Sequence, residues 1–323
     1  MTIDDFIKTL NEYGATKRPF LFLVDFEMQK PFVMSLDEVD TAKILFDING
    51  RTNFTTLTNR RRHIEFLKYP PPLADYKQKF DKVWSHLLYG DSYLTNLTIK
   101  TRISTQRSLR EIFALTRARY KLCVEEKFLV FSPETFVRME HGKIFSFPMK
   151  GTIDADIPGA EDRIIRDPKE MAEHVTIVDL IRNDLSSVAD HVRVARFRYV
   201  EKIRTMQKNL LQVSSEICGD LPDDYLDRLG DIMLKLLPAG SVSGAPKYKT
   251  LEIIREAEGE LRGYYTGVVG LFDGVTFESG VMIRYLERSG DDLYYRSGGG
   301  ITVQSAVETE YQEAIDKVYV PLD

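Results

Sequence analysis

The chain has 323 residues, of which 43% are hydrophobic and 29% are charged, and its formal net charge is −5. This composition is typical of a globular protein near the upper size of one hydrophobic core. The net negative charge gives no general attraction to nucleic acid or to an anionic membrane. Since no run of about 18 apolar residues occurs, the sequence also predicts no membrane-spanning helix.

Two further features favour a cytoplasmic protein. The amino terminus is acidic and amphipathic, and it lacks the basic start and apolar core of a secretory signal. Cys123 and Cys218 are far apart and have no metal-binding spacing, as in proteins of a reducing compartment. The run of three arginines at residues 60–62 is interpreted as a solvated surface or as local ion pairs, rather than as a nucleic-acid patch.

The first half of the chain predicts short strands and helices in succession. Residues 20–32 combine aromatic and β-branched residues around a turn, which indicates a strand followed by the start of another. An acidic start and apolar spacing indicate a helix at residues 36–46. The same half predicts a helix at residues 75–88, strands at residues 92–101, 127–140 and 143–148, a helix at residues 108–120 and a hairpin turn at Gly142.

The second half begins with a long helix over residues 168–188. Asp167 stands at its N-cap, Pro168 at its first position and Glu170 at its third, so a capping box is expected. A second capping box, from Ser305 to Glu308, predicts a last helix that ends near Val318. Between the two helices the pattern predicts strands at residues 192–200, 263–272, 276–288 and 292–296 and helices at residues 223–236 and 246–258.

The arrangement of these elements predicts the fold class. Because the strands cluster without regular β-α-β alternation, we predict an α+β fold with antiparallel sheets rather than a doubly wound fold. Since no linker rich in Gly, Ser or Pro interrupts the chain, one compact unit is the simplest interpretation.

Two pairs of glutamates are spaced three residues apart on two of the predicted helices. Glu170 and Glu173 form one pair and Glu310 and Glu313 the other, each in or beside the apolar stripe of its helix. Two like charges 4 Å apart would repel by roughly 4 kcal/mol at an effective dielectric of 20. If the pairs meet, such hard oxygen ligands would select Mg²⁺ or Ca²⁺. Each pair also has a structural explanation, because Glu170 can cap its helix and Glu313 can pair with Lys317.

Two glycine-containing segments could bind an anion. Gly298, Gly299 and Gly300 can expose consecutive backbone N–H groups, although a hairpin or left-handed turn is the simpler explanation of three glycines alone. The segment PAGSVSGAPK, residues 238–247, lacks the Gly-Lys-Ser/Thr ending of a Walker A loop, and it could be only a loop that enters a helix.

Lys150 follows a predicted strand and precedes a glycine. A lysine in this position can act as a nucleophile once its amine is unprotonated, but spacing alone favours a solvated side chain. The absence of GxGxxG, HExxH and zinc-binding spacings argues against nicotinamide and zinc chemistry.

In their order along the chain, these segments resemble those of the chorismate-utilising enzymes, which include aminodeoxychorismate, anthranilate, isochorismate and salicylate synthases. The resemblance covers about residues 90–320. The similar stretches are NLT (96–98), SPE (132–134), PMKGT (148–152), EHVTIVDLIRNDL (173–185), PAGSVSGAPK (238–247), RGYYTGVVG (262–270), IR (283–284) and GGGITVQS through EYQE (298–313).

The resemblance implies the architecture. In this family two antiparallel sheets pack at the core of an α+β fold, with helices outside and the active site in a cleft between subdomains. We therefore expect one catalytic domain over residues 1–323, with a shortened N-terminal region at 1–90 and the family core at 90–320.

The resemblance also implies the roles of individual residues. The four glutamates Glu170, Glu173, Glu310 and Glu313 are expected to converge around Mg²⁺, which holds the ring carboxylate of chorismate. Glu134 is similar in position to the general acid that protonates the departing C4 hydroxyl. The implied substrate-binding residues are Thr152, Ser241, Gly244, Tyr265, Arg284, Gly298, Gly299, Gly300 and Lys317.

Within the family, Lys150 favours amination of chorismate at C4. In the members that form 4-amino-4-deoxychorismate, the motif resembles PIKGT; its lysine attacks C2, and ammonia then enters at C4. Anthranilate synthases typically carry alanine there, and isochorismate and salicylate synthases use a lysine base where this chain has Leu94. Many relatives have histidine where Gln212 stands, so a proton-transfer role there is in doubt.

The sequence therefore predicts a magnesium-dependent enzyme that makes 4-amino-4-deoxychorismate for the synthesis of 4-aminobenzoate and folate. The chain has no cysteine-nucleophile glutaminase signature, so ammonia is expected from a separate glutamine amidotransferase subunit. Two alternatives remain: the large component of anthranilate synthase, and a catalytically silent, partner-binding subunit that has kept the fold.

Overall fold

Two antiparallel sheets form the centre of the molecule in the computed structural model, which describes residues 1–55, 64–204 and 209–321. Its strands are β1 (Phe20–Val24), β2 (Phe32–Ser35), β3 (Ile44–Ile48), β4 (Arg51–Thr52), β5 (Leu67–Tyr69), β6 (Leu94–Ser104), β7 (Tyr120–Val124), β8 (Phe128–Ser132), β9 (Thr135–Glu140), β10 (Lys143–Ser146), β11 (Met149–Asp154), β12 (Asp190–Arg204), β13 (Asn209–Asp220), β14 (Gly244–Ala245), β15 (Val268–Phe272), β16 (Phe277–Val281), β17 (Tyr285–Ser289) and β18 (Asp292–Ile301). Its helices are α1 (Ile3–Ala15), α2 (Leu73–Tyr89), α3 (Leu109–Leu115), α4 (Ala160–Arg166), α5 (Pro168–Ser186), α6 (Leu229–Leu236), α7 (Lys247–Glu258) and α8 (Val307–Asp316). The arginine run at residues 60–62 lies outside the described residues.

Each sheet has nine described strands. Sheet A has the order β11-β13-β10-β9-β16-β15-β1-β2, and β12 also pairs with β13. Sheet B has the order β14-β6-β18-β17-β8-β7-β3-β4, and β5 also pairs with β6. The pairings between described strands are antiparallel. The predicted α+β fold with two antiparallel sheets is therefore confirmed, and the first 90 residues contribute strands to both sheets.

The two sheets pack face to face, with helices on their outer faces. In β1, Leu21 and Leu23 join a buried cluster built from strands of both sheets, whereas Phe20, Phe22 and Val24 pack with α1, α5 and α6. This division follows from the alternation of side chains along a strand. On sheet B, α3 covers one part of the outer face, and α2, α7 and α8 cover another. None of the described helices combines the length and apolar character needed to cross a membrane.

The chain crosses between the sheets at two neighbouring places. Pro133 and Glu134 connect β8 of sheet B to β9 of sheet A, and residues 282–284 connect β16 of sheet A to β17 of sheet B. The crossovers are hydrogen bonded to adjoining strands, because Val281 N donates to Glu134 O at 3.1 Å and Phe131 N to Arg284 O at 3.1 Å. The segments 127–140 and 276–288, each predicted as continuous strand, are therefore broken where the chain changes sheets.

Two predicted helices are wrong in whole or in part. Residues 36–46 form a 3₁₀ turn at Leu36–Glu38 and then the strand β3. Pairing of β3 with β7, from Ile44 opposite Val124 to Ile48 opposite Tyr120, outweighs the helical spacing because it buries apolar residues of both strands. The helix predicted at 108–120 ends at Leu115, since Tyr120 already belongs to β7.

The helix starts were only partly predicted. Asp167 Oδ1 accepts a hydrogen bond from Glu170 N at 3.0 Å, which confirms this N-cap, but the Glu170 side chain does not bind Asp167 N, so the predicted capping box is incomplete. The capping box at Ser305 is wrong: α8 begins at Val307 after the N-cap Ala306, and Ser305 Oγ accepts from Thr302 N at 3.2 Å. The predicted helix 223–236 is divided into a 3₁₀ turn at Tyr225–Arg228 and α6.

A buried ion pair joins several segments around one end of sheet B. The side chain of Arg262 is 1% exposed, and its Nη2 lies 2.6 Å from Glu258 Oε1. Glu258 Oε1 also accepts from Thr98 N at 2.9 Å, while Arg262 donates to the backbone oxygens of Val242 and Asn96, both at 2.8 Å. The pair thus ties β6, the end of α7 and the loop before β14 to the turn that follows α7.

We expect Arg262→Met to lower the free energy of unfolding by about 3–5 kcal/mol, because it leaves the Glu258 carboxylate buried without its partner. Arg182→Met is the control, since it breaks an exposed pair with Asp179 and should cost less than about 1 kcal/mol. Urea unfolding of both variants measures the difference. Equal losses would contradict the assignment of Arg262 as the stabilising centre of this region.

Candidate active site

Glu134 lies on the first crossover, where it is partly buried between the sheets. Its carboxylate accepts a hydrogen bond from the hydroxyl of Ser241. Burial raises the pKa of Glu134 against the opposing effects of the Ser241 hydrogen bond and of the positive charges of Lys150, Arg284 and Lys317. Raised in this way, the carboxyl is suited to donate a proton.

Lys150 projects from β11 toward α5, and its Nζ lies 3.5 Å from Glu173 Oε2. A β-bulge follows it at Gly151, where φ is +72°. A Cβ atom at Gly151 would lie 2.9 Å from Glu170 Oε2, so the glycine lets this carboxylate approach the strand. The two candidate metal ligands of α5 are therefore beside the candidate nucleophile.

The bulge separates Thr152 from Lys150. Lys150 is opposite Val213 and Thr152 is opposite Gln212, and these two neighbours on β13 point to opposite faces of the sheet. Thr152 is exposed on the face that it shares with Gln212, away from the face of Lys150. The register thus brings neither Thr152 nor Gln212 to the lysine side chain.

The three glycines at residues 298–300 form part of a strand, not a turn. They belong to β18 and pair with β6, Gly298 opposite Thr98 and Gly300 opposite Asn96. A Cβ atom at Gly299 would lie 3.5–3.6 Å from charged atoms of Glu313, Glu310 and Lys317, and one at Gly300 would lie 3.7 Å from Lys150 Nζ. The missing side chains leave space between the strand and charged groups on both of its faces.

The end of α8 supplies a second lysine. Lys317 Nζ donates to Gly298 O at 3.0 Å and lies 2.6 Å from Glu313 Oε1, so the i, i+4 ion pair expected from the sequence is present. Glu310 is buried on the same helix, with 4% of its surface exposed. Burial lowers the pKa of Lys317 against the effect of Glu313, and the charge of Lys150 contributes in the same direction as burial.

Arg284 stands on the second crossover with a positive φ of +54°. Its Nε is buried and has no hydrogen-bond acceptor among the described residues. Tyr265 is 3% exposed, and burial raises its pKa to about 12, so its hydroxyl stays protonated at neutral pH. An unpaired guanidinium N–H and a protonated phenol suit the binding of a carboxylate.

The loop before α7 holds Ser241 against Glu134. Lys247 Nζ lies 3.0 Å from Asp184 Oδ2 on α5 and donates to Leu236 O at 3.0 Å. Gly244 has a φ of +142° and pairs with Thr95, and a Cβ atom there would lie 1.9 Å from the backbone oxygen of Leu94. This glycine is therefore required by the backbone itself, whatever its role in binding.

The four glutamates are brought together in two pairs rather than in one cluster. Burial raises the pKa of Glu170, and the negative charges of Glu173, Asp167 and Glu313 raise it further. The positive charge of Lys150 opposes these effects. Within the described residues, however, no three acidic, histidine or cysteine side chains are close enough to hold one metal ion. Hard oxygen donors with excess negative charge fit Mg²⁺, but its site stays a prediction.

Leu94 is the residue at which the resemblance predicted no base. It is 4% exposed and packs beside Gly300, because a Cβ atom at Gly300 would lie 2.8 Å from Leu94 Cδ1. An apolar group therefore lies on the same side of β18 as Lys150.

Sequence reasoning missed three residues of this region. Asp184 and Lys247 lie within recognised motifs, but their ion pair depends on a contact between distant segments. Tyr319 follows α8 outside any motif, and its ring centroid lies 5.3 Å from Arg284 Cζ. Nothing in the local sequence indicates either contact.

The two stacked antiparallel sheets are the architecture that the resemblance to the chorismate-utilising enzymes predicts. The model of the chorismate binding enzyme family matches residues 15–323, and the chain belongs to this family.

Individual relatives agree with this assignment. The chain is 48% identical over 322 residues to a Haemophilus influenzae protein named "Uncharacterized PabA-like protein", with 100% of this chain and 98% of that protein covered. It is 31% identical over 259 residues to aminodeoxychorismate synthase component 1 of Bacillus subtilis, over 76% of this chain and 54% of that protein. It is 37% identical over 195 residues to anthranilate synthase component 1 of Aquifex aeolicus, over 58% of this chain and 38% of that protein.

A solved structure shows the same fold. The chain is similar to a putative 2,3-dihydroxybenzoate-specific isochorismate synthase of Bacillus anthracis, with a TM-score of 0.75 and 20% identity. The match covers 98% of this chain and 87% of that chain.

We expect different effects from substitutions at two neighbouring glycines of β18, Gly298 and Gly299. Gly299→Ala should leave the melting temperature unchanged, since its Cβ would make ordinary contacts, but should weaken chorismate binding because it fills space beside Glu313 and Lys317. Gly298→Ala should destabilise the fold, because its Cβ would lie 2.3 Å from the backbone oxygen of Leu97. Thermal unfolding and chorismate titration measure both effects. Unchanged chorismate affinity in a folded Gly299→Ala protein would exclude this space from the binding site.

Proposed function

We propose that this enzyme aminates chorismate at C4 to give 4-amino-4-deoxychorismate, with Lys150 as nucleophile and Glu134 as general acid. The observation that carries the proposal is the placement of Lys150. Its amine would lie 3.7 Å from a Cβ atom at Gly300, and its positive charge acts to lower the pKa of Glu134. A nucleophile and an acid on the same cleft are the two groups that this substitution needs.

The chemistry requires two steps. In the first, the unprotonated amine of Lys150 attacks C2, the two conjugated ring double bonds shift, and the C4 hydroxyl leaves as water with the proton of Glu134. In the second, ammonia attacks C4, both double bonds shift back, and the lysine leaves C2. The Glu134 carboxylate accepts the proton that the new C4 ammonium group loses. The net reaction converts chorismate and ammonia into 4-amino-4-deoxychorismate and water.

The cations of the site would bind the substrate's carboxylates. Arg284 offers its buried Nε–H, and Tyr265 is buried nearby. Lys317 and the backbone of residues 298–300 line the other side, and Ser241 holds the acid. Gly244 supports this loop through the backbone, and the exposed Thr152 lies on the opposite face of the sheet from Lys150.

The pairs Glu170–Glu173 and Glu310–Glu313 would hold a magnesium ion after approaching each other more closely than they do among the described residues. It would supply positive charge that offsets the ring carboxylate of chorismate. The raised pKa of Glu170, caused by burial and by neighbouring carboxylates, supports a site that needs a cation. Lys150 and Lys317, now paired with Glu173 and Glu313, supply part of that charge.

Ammonia would come from a separate glutamine amidotransferase subunit in the cytoplasm, as part of 4-aminobenzoate and folate synthesis. A relative named component 1 of aminodeoxychorismate synthase supports a two-component enzyme. Anthranilate synthesis is the second candidate, because the anthranilate synthase relative has the higher identity over a shorter stretch. Lys150 opposes it, since such enzymes typically carry alanine there.

The first test incubates the purified chain with chorismate, Mg²⁺ and ammonium, with and without a 4-aminodeoxychorismate lyase. We expect 4-aminobenzoate only when the lyase is present, and loss of turnover when the metal is chelated. Lys150→Ala should reduce turnover by roughly 100-fold or more, because it removes the group that forms the covalent bond.

Lys143→Ala is the matched control. It removes another ion-paired lysine of sheet A, bound to Asp220 at 2.6 Å, and should leave turnover unchanged. Mass spectrometry identifies the products. Anthranilate would establish the second candidate instead, and absence of any turnover would favour a silent, partner-binding subunit.

The second test follows turnover against pH. Because the pKa of Glu134 is raised, the acid stays protonated at low pH, and turnover should fall as the pH rises through that pKa. Ser241→Ala removes a hydrogen bond that lowers this pKa, so the alkaline fall should move to higher pH. Glu134→Gln should lose roughly 100-fold or more in kcat and show no such fall. If Ser241→Ala does not shift the pH at which turnover falls, a group other than Glu134 controls that fall.

A further inference from the structure

Arg284 is a charged side chain without a charged partner. It forms no ion pair with any carboxylate in the described ranges, and its Nε lacks an acceptor there, although its guanidinium hydrogen bonds with the side chain of Tyr319. An isolated buried cation is costly because it loses its hydration. The positive φ of this residue adds backbone strain that a bulky side chain rarely tolerates. Binding of an anionic ligand by the guanidinium would offset these costs.

The aromatic ring of Tyr319 is the group that faces it. The guanidinium carbon of Arg284 lies 5.3 Å from the centroid of this ring, within the range of a cation–π interaction. The guanidinium lies over the ring, whereas a carboxylate binds along the N–H edge of the guanidinium plane. The two interactions can therefore exist together.

The backbone around Tyr319 is fixed independently of its side chain. The hydroxyl of the buried Tyr295 donates to Tyr319 O at 3.0 Å, and Arg117 N donates to Pro321 O at 3.1 Å. Val318 is 2% exposed in the core beside sheet B, whereas Tyr319 is 44% exposed. The ring is thus held outward over Arg284 by an anchored segment, and its removal should leave the fold intact.

We infer that Tyr319 is a positioning residue that orients Arg284 and so sets the affinity for the carboxylate of the substrate. The inference rests on the proposed binding of chorismate at Arg284. Tyr319 takes no part in bond making, so it should influence binding much more than the chemical step.

The test compares Tyr319→Ala, Tyr319→Leu and Tyr319→Phe in the full-length chain, by chorismate titration and steady-state kinetics. Tyr319→Ala should raise KM and Kd for chorismate about tenfold and change kcat less than about twofold. Tyr319→Phe keeps the ring but removes the hydroxyl that hydrogen bonds with Arg284, so its KM should lie between those of the unaltered chain and Tyr319→Ala. Tyr319→Leu keeps the bulk without the π face and should resemble the alanine variant.

The chain offers a matched control in Tyr69. Its ring lies 4.8 Å from Arg102 Cζ and it is 47% exposed, but this pair is on β5 and β6, away from Arg284. Tyr69→Ala should leave KM unchanged, and all variants should keep the melting temperature within about 2 °C.

Three results would overturn the inference: an unchanged KM in Tyr319→Ala, normal affinity in Tyr319→Leu, or a KM change that Tyr69→Ala reproduces. If the unaltered chain binds no chorismate, the proposed function and the inference fail together. If it binds chorismate and Tyr319→Ala does so equally well, only the inference fails.

Discussion

The ion pair between Arg262 and Glu258 determines how the segments around the cleft are arranged. Glu258 ends α7 and binds the backbone and side chain of Thr98 on β6, while Arg262 binds the backbone oxygen of Asn96 and the loop before β14. Because β6 is paired with β18, this contact also places the strand that contains the three glycines. Ser241 belongs to the same loop. The position of the hydroxyl that binds the Glu134 carboxylate therefore depends indirectly on the ion pair between Arg262 and Glu258.

The electrostatic character of the site follows from its position at the two crossovers. Glu134 and Arg284 are close because the chain changes sheets twice at neighbouring points. Lys150 comes from sheet A and Lys317 from the helix over sheet B, so positive charge converges from both layers. These cations are suited to bind an anionic substrate, and burial raises the pKa of the acid. Neither sheet alone contains all of these groups.

Much of this organisation could be predicted from local sequence. The spacing in α2, α5 and α7 indicates helices correctly because those helices bury one continuous apolar stripe. The N-cap at Asp167 forms as expected, since it needs only residues three apart. The i, i+4 pair of Glu313 and Lys317 forms for the same reason. By contrast, β3 was predicted as helix, because its partner β7 lies about 75 residues farther along the chain.

The sequence by itself determined the class of fold, the family and the identity of the chemical groups, because these depend on residue types and on spacings within single elements. Only the tertiary structure decided which groups meet. It placed the glycine run within a strand, turned Thr152 away from Lys150 by a bulge at Gly151, and set Tyr319 over Arg284. Each of these outcomes depends on strand register or on contact between distant segments. Such contacts are fixed by burial and hydrogen bonding across the whole fold, and no local pattern encodes them.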